Sequence, residues 1–206
     1  MATIQSVFPT LIYRADKVAS LNLNGALETA VLALAQSDRA GQRWSEKHGY
    51  PGYTSYASAD NLADRFKSFA TLQRILDRHA LAFAKALHWD IKGGKPVCDS
   101  LWVNVMPTGG SHTSHLHTNA VISGTYYLSV PKGSGPIVFE DPRLAMLMAA
   151  PPRLGKAPRE MRYQISEQPL PGSVLMWESW LRHEVPLNVA DGERISISFN
   201  YVIGEK

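Results

Sequence analysis

Three histidines and one arginine in the second half of the chain have the residue types and spacing of a metal site beside an anion-binding group. His115 and His117 are one residue apart, so both point to the same side of an extended strand, where side chains alternate. The distant His183 would add a third imidazole, and Arg194, eleven residues later, can hold a carboxylate through its planar fork. This set predicts a mononuclear iron enzyme with an acidic co-substrate.

Other residues offer alternatives to this ligand set. His112 precedes His115 by three residues, so it is a further candidate imidazole. Glu140, Asp141 and Glu178 are candidate carboxylates, although their spacing favours none of them. Spacing alone therefore favours His115, His117 and His183 as ligands but does not exclude these other residues.

The elements that position these residues fall into a helical half and a β half. Helical periodicity predicts helices over Leu21–Gln36 and Leu62–His88, whereas the Gly- and Tyr-rich segment 41–61 is predicted to be a loop. Turn signals separate β-branched or alternating runs that predict strands over residues 101–106, 120–130, 137–139, 173–177 and 194–203. These short strands favour a mainly β fold, a sandwich, jelly roll or barrel, with the amino-terminal helices covering one face.

The last predicted strand has the clearest pattern. One face carries the polar side chains Arg194, Ser196, Ser198 and Asn200, and the other carries Ile195, Ile197, Phe199 and Tyr201. The apolar face is predicted to pack on the helices. The polar face is then predicted to look into the sandwich, where a ligand cavity would satisfy it.

These motifs together resemble the core of the Fe(II)/2-oxoglutarate-dependent oxygenases. The resembling residues run in the order Asn104, Gly109, His115-x-His117, His183 and Arg194-x-Ser196. The chain is similar to a bacterial branch of that superfamily with H-x-H and an S-G-x-Y-Y-L segment, which here is Ser123–Leu128. The resemblance spans residues 102–201 and implies a double-stranded β-helix, that is, a cupin-like jelly roll.

The resemblance implies that His115, His117 and His183 bind Fe(II), with O2 as the oxidant. In the superfamily, a carboxylate usually stands where His117 stands in this chain. Three neutral imidazoles leave the metal one charge unit more positive than two imidazoles and a carboxylate do. Two interpretations stay open at this point: His117 is the third ligand, or water fills that position.

The resemblance also implies a set of residues that bind 2-oxoglutarate. Arg194, aided by Ser196, would pair with the distal carboxylate of this co-substrate. Tyr127 would donate its hydroxyl to the same carboxylate, and Asn104 would contact the co-substrate near the metal.

The sequence therefore predicts an Fe(II)- and 2-oxoglutarate-dependent oxygenase that hydroxylates a small-molecule or peptide substrate. One alternative is a cupin-like three-histidine metalloenzyme that needs no 2-oxoglutarate. A second alternative is a jelly-roll binding protein whose histidines hold no catalytic metal.

Length and composition limit the remaining possibilities. The 206 residues predict a single domain with a helical part over about 1–95 and a β core over about 96–206. A net charge of +3 without a long run of like charges argues against nucleic acid, and the single cysteine, Cys98, excludes an intramolecular disulfide. No apolar run has the roughly 20 residues of a membrane helix, so we predict a cytoplasmic protein, and a homodimer stays open.

Two further expectations concern the surroundings of the pocket. The long segment 141–162 is predicted to contain a short helix over Leu144–Ala150 and then a proline-rich stretch. Two interpretations of this stretch stay open: a mobile cover over the pocket mouth, or a passive insertion or oligomer contact. Trp177 and Trp180, which flank the approach to His183, are predicted to be core aromatics.

Overall fold

Two antiparallel sheets form the centre of the protein in a computed structural model that describes residues 1–143 and 147–205. The strands are β1 (Ile12–Ala15), β2 (Tyr53–Thr54), β3 (Lys95–Met106), β4 (His112–His115), β5 (Ile122–Ser129), β6 (Ile137–Glu140), β7 (Gln164–Glu167), β8 (Val174–Glu178), β9 (His183–Val185) and β10 (Arg194–Gly204). The major sheet has the order β1-β8-β5-β10-β3-β2, and the minor sheet has the order β4-β9-β6-β7. This architecture confirms the mainly β jelly-roll prediction.

Four helices occupy the first part of the described chain. They are α1 (Leu21–Ser37), α2 (Arg39–Lys47), α3 (Leu62–Arg65) and α4 (Lys67–Ala86). The predictions for α1 and for the α3–α4 region are confirmed. The loop prediction for 41–61 is wrong over 41–47, which belong to α2. Asp38 supplies the cap that this prediction missed, because its carboxylate accepts a hydrogen bond from the Gly41 backbone N–H at 3.1 Å.

The helices cover the outer face of the major sheet, and one continuous hydrophobic core joins the two layers. Its fully buried members include Leu27 and Val31 of α1, Leu72 and Leu76 of α4, and Ile197 and Phe199 of β10. Burying each such side chain stabilises the fold by roughly 1.5–3 kcal/mol. The prediction for the apolar face of β10 is thus confirmed. A core shared by helices and sheet supports the single-domain prediction, which stays a prediction.

The space between the two sheets holds a second, smaller cluster. Its buried members are Tyr127, Ile137, Phe139, Leu175, Trp177 and Leu181. On the helix-facing side of the major sheet, Gly124 lets β5 lie close to its neighbours, since an added Cβ would lie 2.5 Å from the Phe199 ring and 2.6 Å from the Leu175 carbonyl oxygen. A larger residue at position 124 would push the sheet apart.

The sequence analysis missed three short strands and misplaced one tryptophan. β1, β2 and β7 each have only two to four residues, too few for a periodic signal. Trp177 is buried as predicted, but the core prediction for Trp180 is wrong, because 45% of this residue is exposed. The predicted helix over Leu144–Ala150 lies partly outside the described residues, and the mobile cover stays a prediction. None of the helices in the described part of the chain combines the length and apolarity that a membrane crossing requires.

Candidate metal centre

The pairing of β4 with β9 brings the predicted metal ligands together. His115 and His183 are direct partners in the register of these two strands. His117 lies two residues beyond the end of β4, and its backbone N–H donates to the Ser179 carbonyl at 3.1 Å. The candidate ligand atoms of the three histidines all lie within 4.8 Å of one another. The expectation that both His115 and His117 belong to one strand is wrong, yet the loop still directs His117 into the group.

Hydrogen bonds orient each of the three rings through its Nδ1 atom. The partners are Thr113 O for His115 (2.7 Å), Asn200 Oδ1 for His117 (2.8 Å) and Leu181 O for His183 (3.0 Å). Because a carbonyl oxygen only accepts, each Nδ1 carries the proton and each Nε2 keeps a free lone pair. This is the tautomer that a metal-binding histidine needs.

Asn200 holds His117 from the polar face of β10. Its Oδ1 also accepts a hydrogen bond from Ser123 Oγ at 2.8 Å, and its Nδ2 donates to Ser100 Oγ at 3.3 Å. In this orientation the amide presents its acceptor to His117 and Ser123 and its donor to Ser100. The sequence placed Asn200 on the correct face but gave it no role.

Burial keeps the three imidazoles neutral. Burial is the main cause that lowers the pKa of His117 to about 4 and that of His183 to about 2, and the neighbouring His115 adds to both shifts. Burial also lowers the pKa of His115 from its ordinary value. Neutral imidazole is the form that binds a metal, so near neutral pH the site needs no deprotonation before a cation enters.

The alternative ligands named from the sequence lie outside this group. His112 stacks on His115 with ring centroids 4.2 Å apart, but it is not among the clustered ligands of the described residues. Glu140 accepts a hydrogen bond from Ser114 Oγ, and Asp141 pairs with Arg143. Within the described ranges, neither these two carboxylates nor Glu178 joins the three histidines.

We expect the metal-free protein to lose stability as the pH falls below about 6.5. The three site histidines have a lower pKa in the folded state than in the unfolded chain, so the unfolded state binds more protons below that pH. Their stabilising contribution is complete above pH 6.5 and falls by at most about 1.4 kcal/mol per pH unit for each histidine.

Urea unfolding of the metal-free protein at pH 7.5 and pH 5.0 measures this effect. His117→Gln should reduce the pH dependence, whereas His48→Gln, which changes an exposed histidine, should not. Identical pH dependence in wild type and His117→Gln would contradict the burial of a neutral imidazole.

An inner cavity beside the histidines contains a buried cation without an anionic partner. It is lined by His115, His183, Tyr127, Arg194, Ser196 and Asn104, among others. Arg194 is 3% exposed, and no carboxylate of the described residues lies within ion-pair distance of it. Its Nε and the Tyr127 hydroxyl are buried without hydrogen-bond partners. An unpaired buried guanidinium is costly, so this end of the cavity suits an anion.

Asn104 already has hydrogen-bond partners within the protein, unlike the Arg194 Nε atom and the Tyr127 hydroxyl. Its Oδ1 accepts hydrogen bonds from Tyr50 Oη at 3.1 Å and Thr54 Oγ1 at 2.8 Å, and its Nδ2 donates to Ser198 Oγ at 3.1 Å. One N–H of the amide remains for a ligand. Asn104 therefore lies at the predicted place, but most of its hydrogen bonds join β3 to its surroundings.

An outer cavity of about 270 Å³ opens beside the histidines. Its lining includes His117 and the aromatic residues Trp44, Tyr50, Tyr56 and Trp102. The sequence analysis missed this aromatic lining. The segment that was predicted to be a loop contains Trp44, Tyr50 and Tyr56. The only sequence signal for this lining was the Tyr-rich composition of that segment.

Comparisons with known proteins concern the family and the fold. A sequence profile of the family described as "Putative 2OG-Fe(II) oxygenase" matches residues 100–200. No curated protein matches the chain in sequence. Among solved structures, a Pseudomonas putida prolyl-4-hydroxylase is similar with a TM-score of 0.61, 14% identity and 94% of each chain covered.

Two other similar structures were solved with ligands. The epimerase SnoN, in complex with Fe3+, alpha ketoglutarate and nogalamycin RO, has a TM-score of 0.64 at 11% identity, over 94% of this chain and 79% of that one. HygX from Streptomyces hygroscopicus, with nickel and 2-oxoglutarate bound, has a TM-score of 0.57 at 14% identity, over 93% and 81% of the two chains. At such identities these likenesses establish the shared fold.

Proposed function

Because the chain belongs to the 2OG-Fe(II) oxygenase family through its residues 100–200, we propose that His115, His117 and His183 hold the iron and that Arg194 binds 2-oxoglutarate. The observation that carries this assignment is the meeting of three oriented imidazoles with a buried, unpaired guanidinium in one cavity. The family match confirms the predicted enzyme class, with Fe(II) and 2-oxoglutarate as its cofactor and co-substrate. It sets aside the metalloenzyme without 2-oxoglutarate and the non-catalytic binding protein.

The donor set fits Fe(II), because imidazole nitrogens suit this metal and three of them on one side leave open positions opposite. The Nδ1 hydrogen bonds hold the three rings in place, and Trp177 packs edge-on against His183 with centroids 4.6 Å apart. When bound, iron would let O2 oxidise both 2-oxoglutarate, which yields succinate and CO2, and a substrate C–H bond, with one oxygen atom going to each. The protein orients the groups and excludes water.

Arg194 would receive the distal carboxylate of 2-oxoglutarate through its planar fork. The Tyr127 hydroxyl lacks a partner and lies close by, since the guanidinium carbon of Arg194 is 5.1 Å from the Tyr127 ring centroid. Ser196 shares the inward face of β10 and lines the same cavity. Carboxylate binding would therefore satisfy two buried donors that have no partner in the described protein.

The inner cavity must widen to admit the co-substrate. Its volume is about 40 Å³, which suits ordered water rather than a five-carbon dicarboxylate. Tyr50 and His112 line both cavities and pack edge-on with centroids 5.5 Å apart. We propose that rotation of these two side chains opens the inner cavity.

We also propose that the enzyme hydroxylates its substrate and that it is located in the cytoplasm. A homodimer is part of the same proposal. The family match leaves the prime substrate undefined. The low net charge continues to argue against nucleic acid as a partner.

Turnover of 2-oxoglutarate tests the function directly. Protein purified without oxygen and loaded with Fe(II) should convert 2-oxoglutarate slowly to succinate and CO2 once O2 is admitted, and His115→Ala should not. Iron-loaded wild-type protein that consumes no 2-oxoglutarate, with or without a panel of small molecules and peptides, would contradict the proposal.

A further inference from the structure

Three aromatic side chains form a continuous wall of the outer cavity. This aromatic wall consists of Trp44 on α2, Tyr56 just after β2, and Trp102 on β3. Tyr56 meets Trp102 edge-on with centroids 5.2 Å apart, and it meets Trp44 edge-on at 6.1 Å. Trp102 lies 6.0 Å from the His117 ring. The wall therefore extends from a proposed iron ligand outward, from the 6% exposed Trp102 to the 50% exposed Tyr56.

Asp38 fixes the segments that carry the outer part of the wall. Its carboxylate caps α2 through the Gly41 backbone N–H and accepts hydrogen bonds from Tyr53 Oη at 2.8 Å and from Ser58 Oγ. Trp44 follows this cap within α2, and Tyr56 lies between the two hydroxyl donors in the chain. The wall is therefore held in place before any ligand enters, which lowers the entropy cost of binding.

The aromatic wall has no charged side chain beside it. Among the lining residues of the outer cavity in the described ranges, none is Asp, Glu, Lys or Arg. An ionised group at the wall would lose hydration without gaining a counterion from a side chain, and a charge would come only from the proposed iron at His115 and His117. The wall itself therefore favours an uncharged group.

The polar groups of the outer cavity are largely satisfied within the protein. Thr54 Oγ1 donates to Asn104 and accepts from the Tyr56 backbone N–H at 3.3 Å. The Asn200 amide is occupied by His117, Ser123 and Ser100. The inner cavity, in contrast, contains buried donors without partners. Apart from the remaining N–H of Asn104, the outer cavity thus offers a ligand mainly aromatic surface.

We propose that the outer cavity binds an uncharged aromatic ring of the prime substrate against the aromatic wall. Aromatic pairs favour edge-to-face or offset contacts with centroids 4.5–7 Å apart, and the wall presents such partners on α2, β3 and the segment between them. A ring held there lies next to His117, so the C–H bond to be oxidised is on the ring or beside it. This last step rests on the proposed function, whereas ring binding itself does not.

Binding of three small probes tests this inference. Phenol, cyclohexanol and tetramethylammonium are titrated into the purified protein without oxygen, with and without Fe(II), and binding is followed by ligand-observed NMR. Phenol should bind about two- to tenfold more tightly than cyclohexanol, the range expected for one aromatic contact. Equal affinity for these two probes, preference for tetramethylammonium, or no binding of any probe would overturn the inference.

Variants of Tyr56 locate the site, and this half-exposed residue can be changed with little risk to the fold. Tyr56→Phe keeps the ring and should keep the preference for phenol, whereas Tyr56→Leu should reduce it, because only Trp44 and Trp102 of the wall remain. Trp180→Leu, which changes an exposed tryptophan outside the cavity lining, should have no effect. An unchanged phenol preference in Tyr56→Leu would overturn the inference.

Iron and 2-oxoglutarate binding, measured on the same samples, separate the two proposals. If the protein binds iron and 2-oxoglutarate but shows no preference for phenol, the ring site alone is wrong. If it prefers phenol but binds neither iron nor 2-oxoglutarate, the proposed function alone is wrong.

Discussion

His183→Ala is expected to weaken iron binding by more than about 100-fold. His183 is 4% exposed on β9 and supplies one of the three clustered imidazoles. Losing a residue that only orients a metal ligand typically costs 10- to 100-fold in affinity, so loss of a ligand itself should cost more. Iron per protein after anaerobic dialysis, with a titration of Fe(II) back into the protein, measures the effect.

His79→Ala is the matched control for this prediction. His79 is also partly buried, but its Nδ1 pairs with the Tyr13 hydroxyl at 2.8 Å, away from the site. This variant should keep wild-type iron. If folded His183→Ala protein retains wild-type iron after dialysis, the ligand assignment is wrong.

Arg194→Ala is expected to weaken 2-oxoglutarate binding about 30-fold or more while leaving iron content nearly unchanged. Truncating one partner of a buried charge pair typically costs about 2–5 kcal/mol, and each 1.4 kcal/mol is a factor of ten in affinity. Arg194→Lys should restore binding only in part, because an ammonium cannot reproduce the planar fork. Anaerobic calorimetry on iron-loaded protein measures these affinities.

Arg143→Ala provides the control for loss of an arginine. Arg143 pairs with Asp141, and 57% of its side chain is exposed, so this change should leave 2-oxoglutarate affinity unchanged. Equal affinity in wild type and Arg194→Ala would remove Arg194 from the co-substrate site without removing 2-oxoglutarate from the reaction.

The parts of this protein that were predictable from sequence depend on local periodicity. β10 alternates polar and apolar residues from Arg194 to Tyr201, so its two faces and the inward position of Arg194 and Ser196 followed from a period of two. α1 and α4 are long enough to show helical periodicity. The His115-x-His117 spacing was equally informative, although only tertiary contacts show that His117 lies beyond β4.

The parts that were not predictable depend on contacts between distant segments. α2 has nine residues and begins at the Asp38 cap, whose other partners, Tyr53 and Ser58, are fifteen and twenty residues further on. The aromatic wall brings together Trp44 and Trp102 through Tyr56, and no sequence period connects them. The bond from His117 to Asn200 spans 83 residues. Such pairings follow from the topology of the two sheets rather than from local propensity.

The most direct test of the account is whether 2-oxoglutarate binds to the wild-type protein only when Fe(II) occupies the three-histidine site. We expect anaerobic titration to give saturable 2-oxoglutarate binding in iron-loaded protein, with affinity falling sharply in metal-free protein and in His183→Ala. In the proposed site the co-substrate would be held from both ends, by the metal at one end and by Arg194 at the other, so loss of the metal should weaken its binding. Fully iron-loaded wild-type protein that binds no 2-oxoglutarate would contradict the account.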